Sequence, residues 1–435
     1  MEFGKLSIQE LLEGQRQGKF NAREIWEACL QACQEDHRGA FLRFCPPQES
    51  GNGPLQGVPV AISDEICVQG VETTAGSRML AGFIPPYQGT VVEKLRQGGA
   101  LLMGKTNVDE FALGPTMDYG PQKLLHPHDA QRSVLGSAGG AAVAVATHVT
   151  AAVAADVGGG VRLPAASCDI VGFIPTYGRI SRYGVIEHAP SLDQVGIMAR
   201  RVADVEQVYR VIAGHDPLDS TSLPDAEEEA VDPKGCRIGI IAEAPAAIGR
   251  WAEDLAAKVS GSWGEVQLES LGYGSQILQL IVAAEASSNL GAYDGMRFGW
   301  RAPGCEDVRA MFSETRAAGF GARAKLAMLL GAHILNGSNY DRYYLQACRG
   351  RTQVIKELEE LWSQYDVLLT PTIPEGADDC PRQYTSLANL AGIPAITIPC
   401  SPGQGLQLMA PRGGEELLLR LGEIIEGMQG GGVVD

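Results

Sequence analysis

The chain of 435 residues has no cluster of positive charge: 35 Lys and Arg stand against 52 Asp and Glu, for a formal net charge of −17. Gripping a polyanion requires grouped Lys and Arg opposite the phosphates, so direct nucleic-acid binding is excluded and any nucleic acid must be held by a partner. The ten cysteines include no C-x2-C pairs at zinc spacing, and neither a metal nor a cofactor is expected. No signal-peptide pattern opens the chain, so reduced thiols in a cytoplasmic protein are the expectation. No Pro/Ser-rich linker and no internal repeat divides the sequence, which points to one large α/β domain over residues 1–435.

Long apolar runs are also scarce. Residues 138–155 come closest to a membrane span, but they are mostly Ala and Val, are interrupted by Thr147, His148 and Thr150, and lack a basic flank. They read instead as a small-residue core helix running into a strand, with no membrane contact and with His148 hydrogen-bonded at a boundary. Elsewhere, helical spacing of Ile8, Leu11 and Leu12, then Ile25, Trp26, Cys29, Leu30 and Cys33, predicts two surface helices within 1–36, the second capped by Asn21. Cys29 and Cys33 serve packing there. Strands are predicted at 57–62, 100–104, 367–370 and 395–399, and helices at 90–99, 352–365 and 415–428. Such alternation favours a sheet covered on both faces. The acidic, turn-rich stretch 215–235 reads as a solvated surface crossing, and 430–435 as a frayed tail.

Several motifs carry a family resemblance. They are Gly57-Val58-Pro59-Val60-Ala61-Ile62, the run Gly104-Lys105-Thr106-Asn107-Val108-Asp109-Glu110-Phe111-Ala112, and Pro175-Thr176-Tyr177-Gly178-Arg179-Ile180-Ser181-Arg182-Tyr183-Gly184. With these the chain resembles the amidase-signature family, whose signature core would span 57–200. Through Ser191-Leu192-Asp193-Gln194-Val195-Gly196, Gly214-His215-Asp216-Pro217 and Ala284-Glu285-Ala286-Ser287-Ser288 it is most similar to the A subunits of Glu-tRNA(Gln)/Asp-tRNA(Asn) amidotransferases. The resemblance implies an α/β fold, one large mixed β-sheet sandwiched between helices. It also implies a Ser-Ser-Lys triad in which a neutral Lys draws a proton through a bridging, cis-linked Ser so that a second Ser attacks an amide carbonyl.

The sequence departs from that pattern at the chemical positions. Where the family has its Lys, this chain has Ser63, and where it has its nucleophile, in Asp156-Val157-Gly158-Gly159-Gly160-Val161-Arg162, it has Gly160. The bridging Ser aligns with Gly136 in one register and with Ser137 in the other. Leu326 and Ala327 stand where glutamine-using relatives carry Arg, and Arg382 replaces an Asp thought to meet the substrate ammonium. A cation there would repel an α-amino group.

These departures lead to the expectation of a non-hydrolysing (pseudoenzyme) relative of the amidotransferase A-type chain, serving in binding or assembly beside C-like and B-like partners. A small carboxylate or amide would rest on the backbone N–H groups of Val157, Gly158, Gly159 and Gly160, with Arg382 and Tyr293 as further binding residues. The alternative is an active amidase or amidotransferase subunit with relocated or unrecognised catalytic residues, for which Asp64, Glu65, Asp156, Cys67 and Cys168 are the candidates. Cys67 and Cys168 lie where family members often carry Cys, which favours a packing role for both.

Overall fold

The computed structural model describes residues 1–48, 50–114, 116–117, 120–225, 231–241, 244–374 and 382–429. Its two opening helices start where the sequence says they should. Ser7 accepts from the Glu10 N–H while the Glu10 carboxylate takes the Ser7 N–H, and Asn21 and Glu24 repeat this reciprocal cap at the helix Ala22–Glu35. The apolar faces of both helices, Ile8 and Leu11, then Ile25, Cys29 and Cys33, are buried. Burial pushes the Cys29 thiol up to about 12 and the Cys33 thiol higher still, so both are protonated packing groups.

The strands are β1 (Phe41–Phe44), β2 (Pro59–Ser63), β3 (Leu101–Thr106), β4 (Ala151–Asp156), β5 (Val171–Ile174) and β6 (Gln194–Ala199) in the first half. The second half adds β7 (Arg237–Ile241), β8 (Ser262–Val266), β9 (Val367–Pro371), β10 (Ala395–Ser401) and β11 (Gln404–Met409). All eleven form one mixed sheet in the order β1-β3-β2-β4-β6-β5-β10-β11-β9-β7-β8. Every residue of β2, β3, β4 and β6 is buried, as expected for strands with helices on both faces.

What places the site is the parallel trio at one end of the sheet. Strand β2 runs parallel to both β3 and β4, reached through the crossover helices Thr90–Gln97 and Gly139–Thr147. Ser63, Thr106 and Asp156 are therefore the last residues of three neighbouring strands and lie along one edge. The 138–155 segment is the expected helix followed by a strand. Its small residues let it pack closely: a Cβ on Gly140 would lie 2.4 Å from the Asn107 carbonyl oxygen. His148 sits half-buried, 2.7 Å from an Asp36 carboxylate oxygen, as expected of a boundary histidine. Among the described residues no helix is long and apolar enough to cross a membrane.

Two expectations need correction. The helix predicted for 352–365 begins much earlier, spanning Tyr340–Trp362. Gly350 looks like an interruption in sequence, but it lies inside this helix because a Cβ there would meet the Ile277 side chain at 2.5 Å; the glycine marks close helix packing. The acidic crossing after 215 is not simply solvated. Asp216 accepts from Thr90 Oγ1 at 2.6 Å and Ser181 Oγ at 2.5 Å, and Asp219 accepts from the Arg182 N–H at 2.8 Å, so the segment is pinned to the signature core. Glu227, Glu228 and Glu229 and the 430–435 tail lie outside the described residues.

Replacing Asn21 by Ala removes one half of a reciprocal cap, and a loss of about 1 kcal/mol is expected. Chemical denaturation of the two proteins side by side checks it.

Candidate active site

The loop that follows β4 is organised by its own first residue. Asp156 is fully buried and turns its carboxylate back on the loop: Oδ1 accepts from the N–H groups of Gly158 at 3.1 Å and Gly159 at 2.7 Å, and Oδ2 accepts from Val161 at 2.9 Å. Arg162, also fully buried, reaches the same carboxylate with Nη2 at 3.0 Å. Burial by itself would raise the Asp156 carboxyl. The Arg162 guanidinium and the Gly159 and Val161 N–H groups outweigh it and hold the group well below the usual carboxylate range.

This corrects the expected anion cradle. The N–H groups of Gly158 and Gly159 already serve Asp156, so a carboxylate ligand cannot rest on these two without displacing it. The three glycines have different causes. Gly158 at φ +145 and Gly159 at φ +111 adopt backbone conformations that side chains disfavour. Gly160 is needed for space, because a Cβ there would lie 2.8 Å from the Ala155 carbonyl oxygen and 2.9 Å from Ser137 Oγ.

Gly136 and Ser137, the two candidates for the bridging position, have different surroundings. Gly136 has φ +83, and a Cβ on it would lie 2.3 Å from Pro164 Cδ, so the backbone leaves no room for serine at this position. Ser137 is the hydroxyl that faces position 160. It is 1% exposed, its carbonyl accepts from the Asp109 N–H at 3.0 Å, and no peptide bond among the described residues is cis.

Ser63, at the end of β2, donates to Glu65 Oε2 at 2.5 Å, and Glu65 Oε1 accepts from the Ala155 N–H at 2.8 Å. Glu65 is fully buried. Burial pushes its carboxyl up despite the hydrogen bonds from Ser63 and Ala155 that favour the anion. Since the N–H and C=O of one strand residue point the same way, Ala155 ties Glu65 and the 137/160 contact to one edge of β4, where β2 has already stopped. Ser63, Glu65, Ser137 and Gly160 thus share one buried neighbourhood.

The other relocated candidates are structural. Asp64 pairs with Arg43 at 2.6 Å and Lys105 at 3.7 Å, and it accepts from the Thr74 N–H at 3.0 Å and from the Thr74 hydroxyl. Burial raises the Cys67 and Cys168 thiols, so both stay protonated. Lys105, inside the apolar strand β3, is fully buried with its ammonium lowered by burial. The register pairs it with Ile62 and pairs Thr106 with Ser63, so its side chain belongs to the face away from Ser63 and it does not replace the missing base.

Arg382 does lie beside the loop, with its Cδ 3.6 Å from where a Gly158 Cβ would be, and its Nη2 donates to the Gly114 carbonyl at 2.7 Å. Tyr293 is held instead in an aromatic group with Phe111 at 5.6 Å and Phe320 at 6.5 Å between centroids, its phenol raised to about 12 by burial. Leu326 is 61% exposed on the helix Ala322–Leu335. Among the described residues no group of three or more His, Cys, Asp or Glu could hold a metal ion. A cavity of about 690 Å³ opens elsewhere, between the N-terminal helices and β3, lined by Phe20, Trp26 and Leu101. Chemistry, not cavity size, therefore selects the neighbourhood at the ends of β2 and β4.

Buried hydroxyl and carboxyl groups thus gather at the carboxyl ends of parallel strands in an α/β fold. The chain belongs to the amidase family, which it matches over residues 25–419. It is 38% identical to the A subunit of the glutamyl-tRNA(Gln) amidotransferase of Anaeromyxobacter dehalogenans, with 98% of this chain and 96% of that one covered. It is 41% identical to the corresponding protein of Desulforudis audaxviator, over 95% and 93% of the two chains. Among solved structures, the A subunit of the glutamyl-tRNA(Gln) amidotransferase of Thermotoga maritima superposes with a TM-score of 0.79 at 29% identity, covering 98% of this chain and 95% of that one.

These relatives overturn the expectation of a non-hydrolysing protein that only binds or assembles. Similarity over nearly the whole length ties the chain to proteins named for amidotransferase activity. That expectation rested on the departures at Ser63, Gly160, Leu326, Ala327 and Arg382, and the similarity over nearly the whole chain outweighs them.

Two outcomes follow from this geometry. Gly136→Ser forces a side chain into Pro164 on a left-handed backbone and should cost about 2 kcal/mol or more, read as a lower melting temperature. Burial raises Asp109 to about 6, and Asp193 and Glu426 to about 7. Because these folded-state values exceed the unfolded ones, their stabilisation is complete below the ordinary carboxylate range and is lost as pH rises through about 6 to 7. The melting temperature should fall between about pH 7 and about pH 8, above the range where His188, held neutral by burial, acts in the opposite sense, and Asp193→Asn should flatten part of that slope.

Proposed function

We propose that the chain is the A-type component of a tRNA-dependent amidotransferase, releasing nitrogen from a small amide donor for the amidation of Glu-tRNA(Gln) or Asp-tRNA(Asn). The observation that carries this reading is the similarity, 38% and 41% identity over 98% and 95% of the chain, to proteins of that name. The geometry agrees with it. Amide cleavage draws on a nucleophile and a proton acceptor, and Ser63, Glu65 and Ser137 are buried hydroxyl and carboxyl groups in one neighbourhood.

Arg382 beside Gly158 favours a carboxylate of the donor on that side and disfavours its ammonium. The departures at Ser63, Gly160, Leu326 and Arg382 are, on this reading, a reworked site. A formal net charge of −17 leaves the tRNA to a B-like partner, with a C-like partner completing the assembly in the cytoplasm. The single eleven-stranded sheet supports reading residues 1–435 as one domain.

The test is reconstitution with B-like and C-like partners, followed by measurement of Gln-tRNA or Asn-tRNA formed from the misacylated tRNA. Product with glutamine or asparagine as donor is expected. A complex that makes product from ammonium chloride but from neither amide would overturn the reading.

A further inference from the structure

We propose that a cavity between the helices Gly274–Asn289 and Tyr340–Trp362 seats a Lys or Arg side chain of a partner subunit, with Glu285 as its counter-ion and Tyr340 and Tyr344 as its aromatic walls. Who the partner is rests on the amidotransferase reading above; the chemistry of the seat does not. The cavity measures about 410 Å³, room for one long side chain, and shares no lining residue with the neighbourhood of Ser63, Glu65, Ser137 and Gly160. Its lining includes Ser191, Glu285, Asn289, Leu335, Tyr340 and Tyr344.

The carboxylate comes without a cation. Glu285 Oε2 accepts from the Ser191 N–H at 3.0 Å and Oε1 from the Ser191 hydroxyl, so one serine fixes its position while leaving its charge unneutralised. Arg351 is near enough to feel that charge, yet its guanidinium donates to the Leu390 carbonyl at 2.7 Å, the Ser191 carbonyl at 3.0 Å and Ser191 Oγ at 3.2 Å. Among the described residues no Lys, Arg or His is ion-paired with Glu285. The rings stand one helical turn apart, their centroids 5.3 Å from each other and their planes tilted by 39°. No Lys or Arg of the described residues lies over either of them, although Arg342 covers the neighbouring Tyr343.

A carboxylate beside two ring faces selects an ammonium or a guanidinium, whose apolar stem can pass Leu335 and the 37% exposed Tyr340. A metal ion is a poor fit, since one carboxylate already holding a serine offers too few ligands. A free small amine would gain only these weak contacts, whereas a side chain carried on a partner adds them to the rest of an interface. The formal net charge of −17 draws a cationic partner to this chain, and a partner that holds the tRNA must be rich in Lys and Arg.

The test measures the dissociation constant of this chain for its B-like and C-like partners, at low and at moderate salt. Glu285→Gln keeps the acceptor for Ser191 and removes the charge; it should weaken association about tenfold at low salt and flatten the salt dependence. Tyr340→Leu keeps an apolar surface without the ring face and should weaken it about threefold or more. Matching melting temperatures show that both variants fold, and a purely structural role for Glu285 would leave the salt dependence unchanged. Butylammonium chloride titrated into the chain alone should show no saturable binding below about 10 mM. A complex that forms with the unsubstituted chain but binds both variants within twofold would overturn the proposal and leave the amidotransferase reading standing, as would saturable butylammonium binding below about 0.1 mM, which would make a free amine the occupant. Failure of the unsubstituted chain to bind either partner would remove that reading and the proposed occupant with it.

Discussion

The fold depends on one buried ion pair. Asp156 and Arg162 are both fully buried, and neither could be left there alone, since removing either partner strands a charge in an apolar interior at a cost of about 3–5 kcal/mol. Their hydrogen bonds reach much of the molecule. Arg162 Nη1 donates to Gln407 on β11 at 2.7 Å and Nη2 to Asn389 at 2.5 Å, while Asn389 donates in turn to the Asp156 carbonyl at 2.9 Å and to Gln194 on β6 at 3.1 Å. Gln407 continues to Thr370 on β9 at 2.9 Å. One guanidinium therefore ties the loop after β4 to strands from both halves of the chain.

That anchoring explains why the loop keeps its shape. The N–H groups of Gly158, Gly159 and Val161 are satisfied from within by Asp156, and the glycines are dictated by backbone angle at 158 and 159 and by space at 160. The site then forms beside the loop. Glu65 bridges from the end of β2 to Ala155, filling the ladder position that β2 vacates by ending at Ser63. A carboxyl group thus does structural duty for the sheet edge while remaining next to two hydroxyls.

The elements that were legible are those local physics decides: the cap at Asn21, apolar runs for β2, β3, β9 and β10, and small residues at 139–147 where a helix meets the sheet closely. The site was legible in position but less so in role. Sequence spacing could not show the crowding at Gly136, since it depends on Pro164 of the helix Arg162–Ser167, beyond β4 in the chain. Nor could it show that the N–H groups of Gly158 and Gly159 were taken, that Lys105 turned away from Ser63, or that Tyr293 joined Phe111 and Phe320. The inference of lost activity failed for a related reason. It weighed a few single positions against a likeness that runs, at 38% and 41% identity, over nearly the whole chain.

The sheet order has a consequence for how the protein is made. Strands β10 and β11 are the last two in the chain, yet they lie in the middle of the sheet, between β5 and β9. Until residues 395–409 leave the ribosome, β5 and β9 each present an open, apolar edge of the kind that recruits other chains. Gln407, the partner of Arg162, arrives on the same late hairpin, so the buried guanidinium stays incompletely paired until then. The nascent chain is consequently most vulnerable to mispairing in its final stage of synthesis, and a break in translation before β10 would leave two half-sheets with no strand to join them.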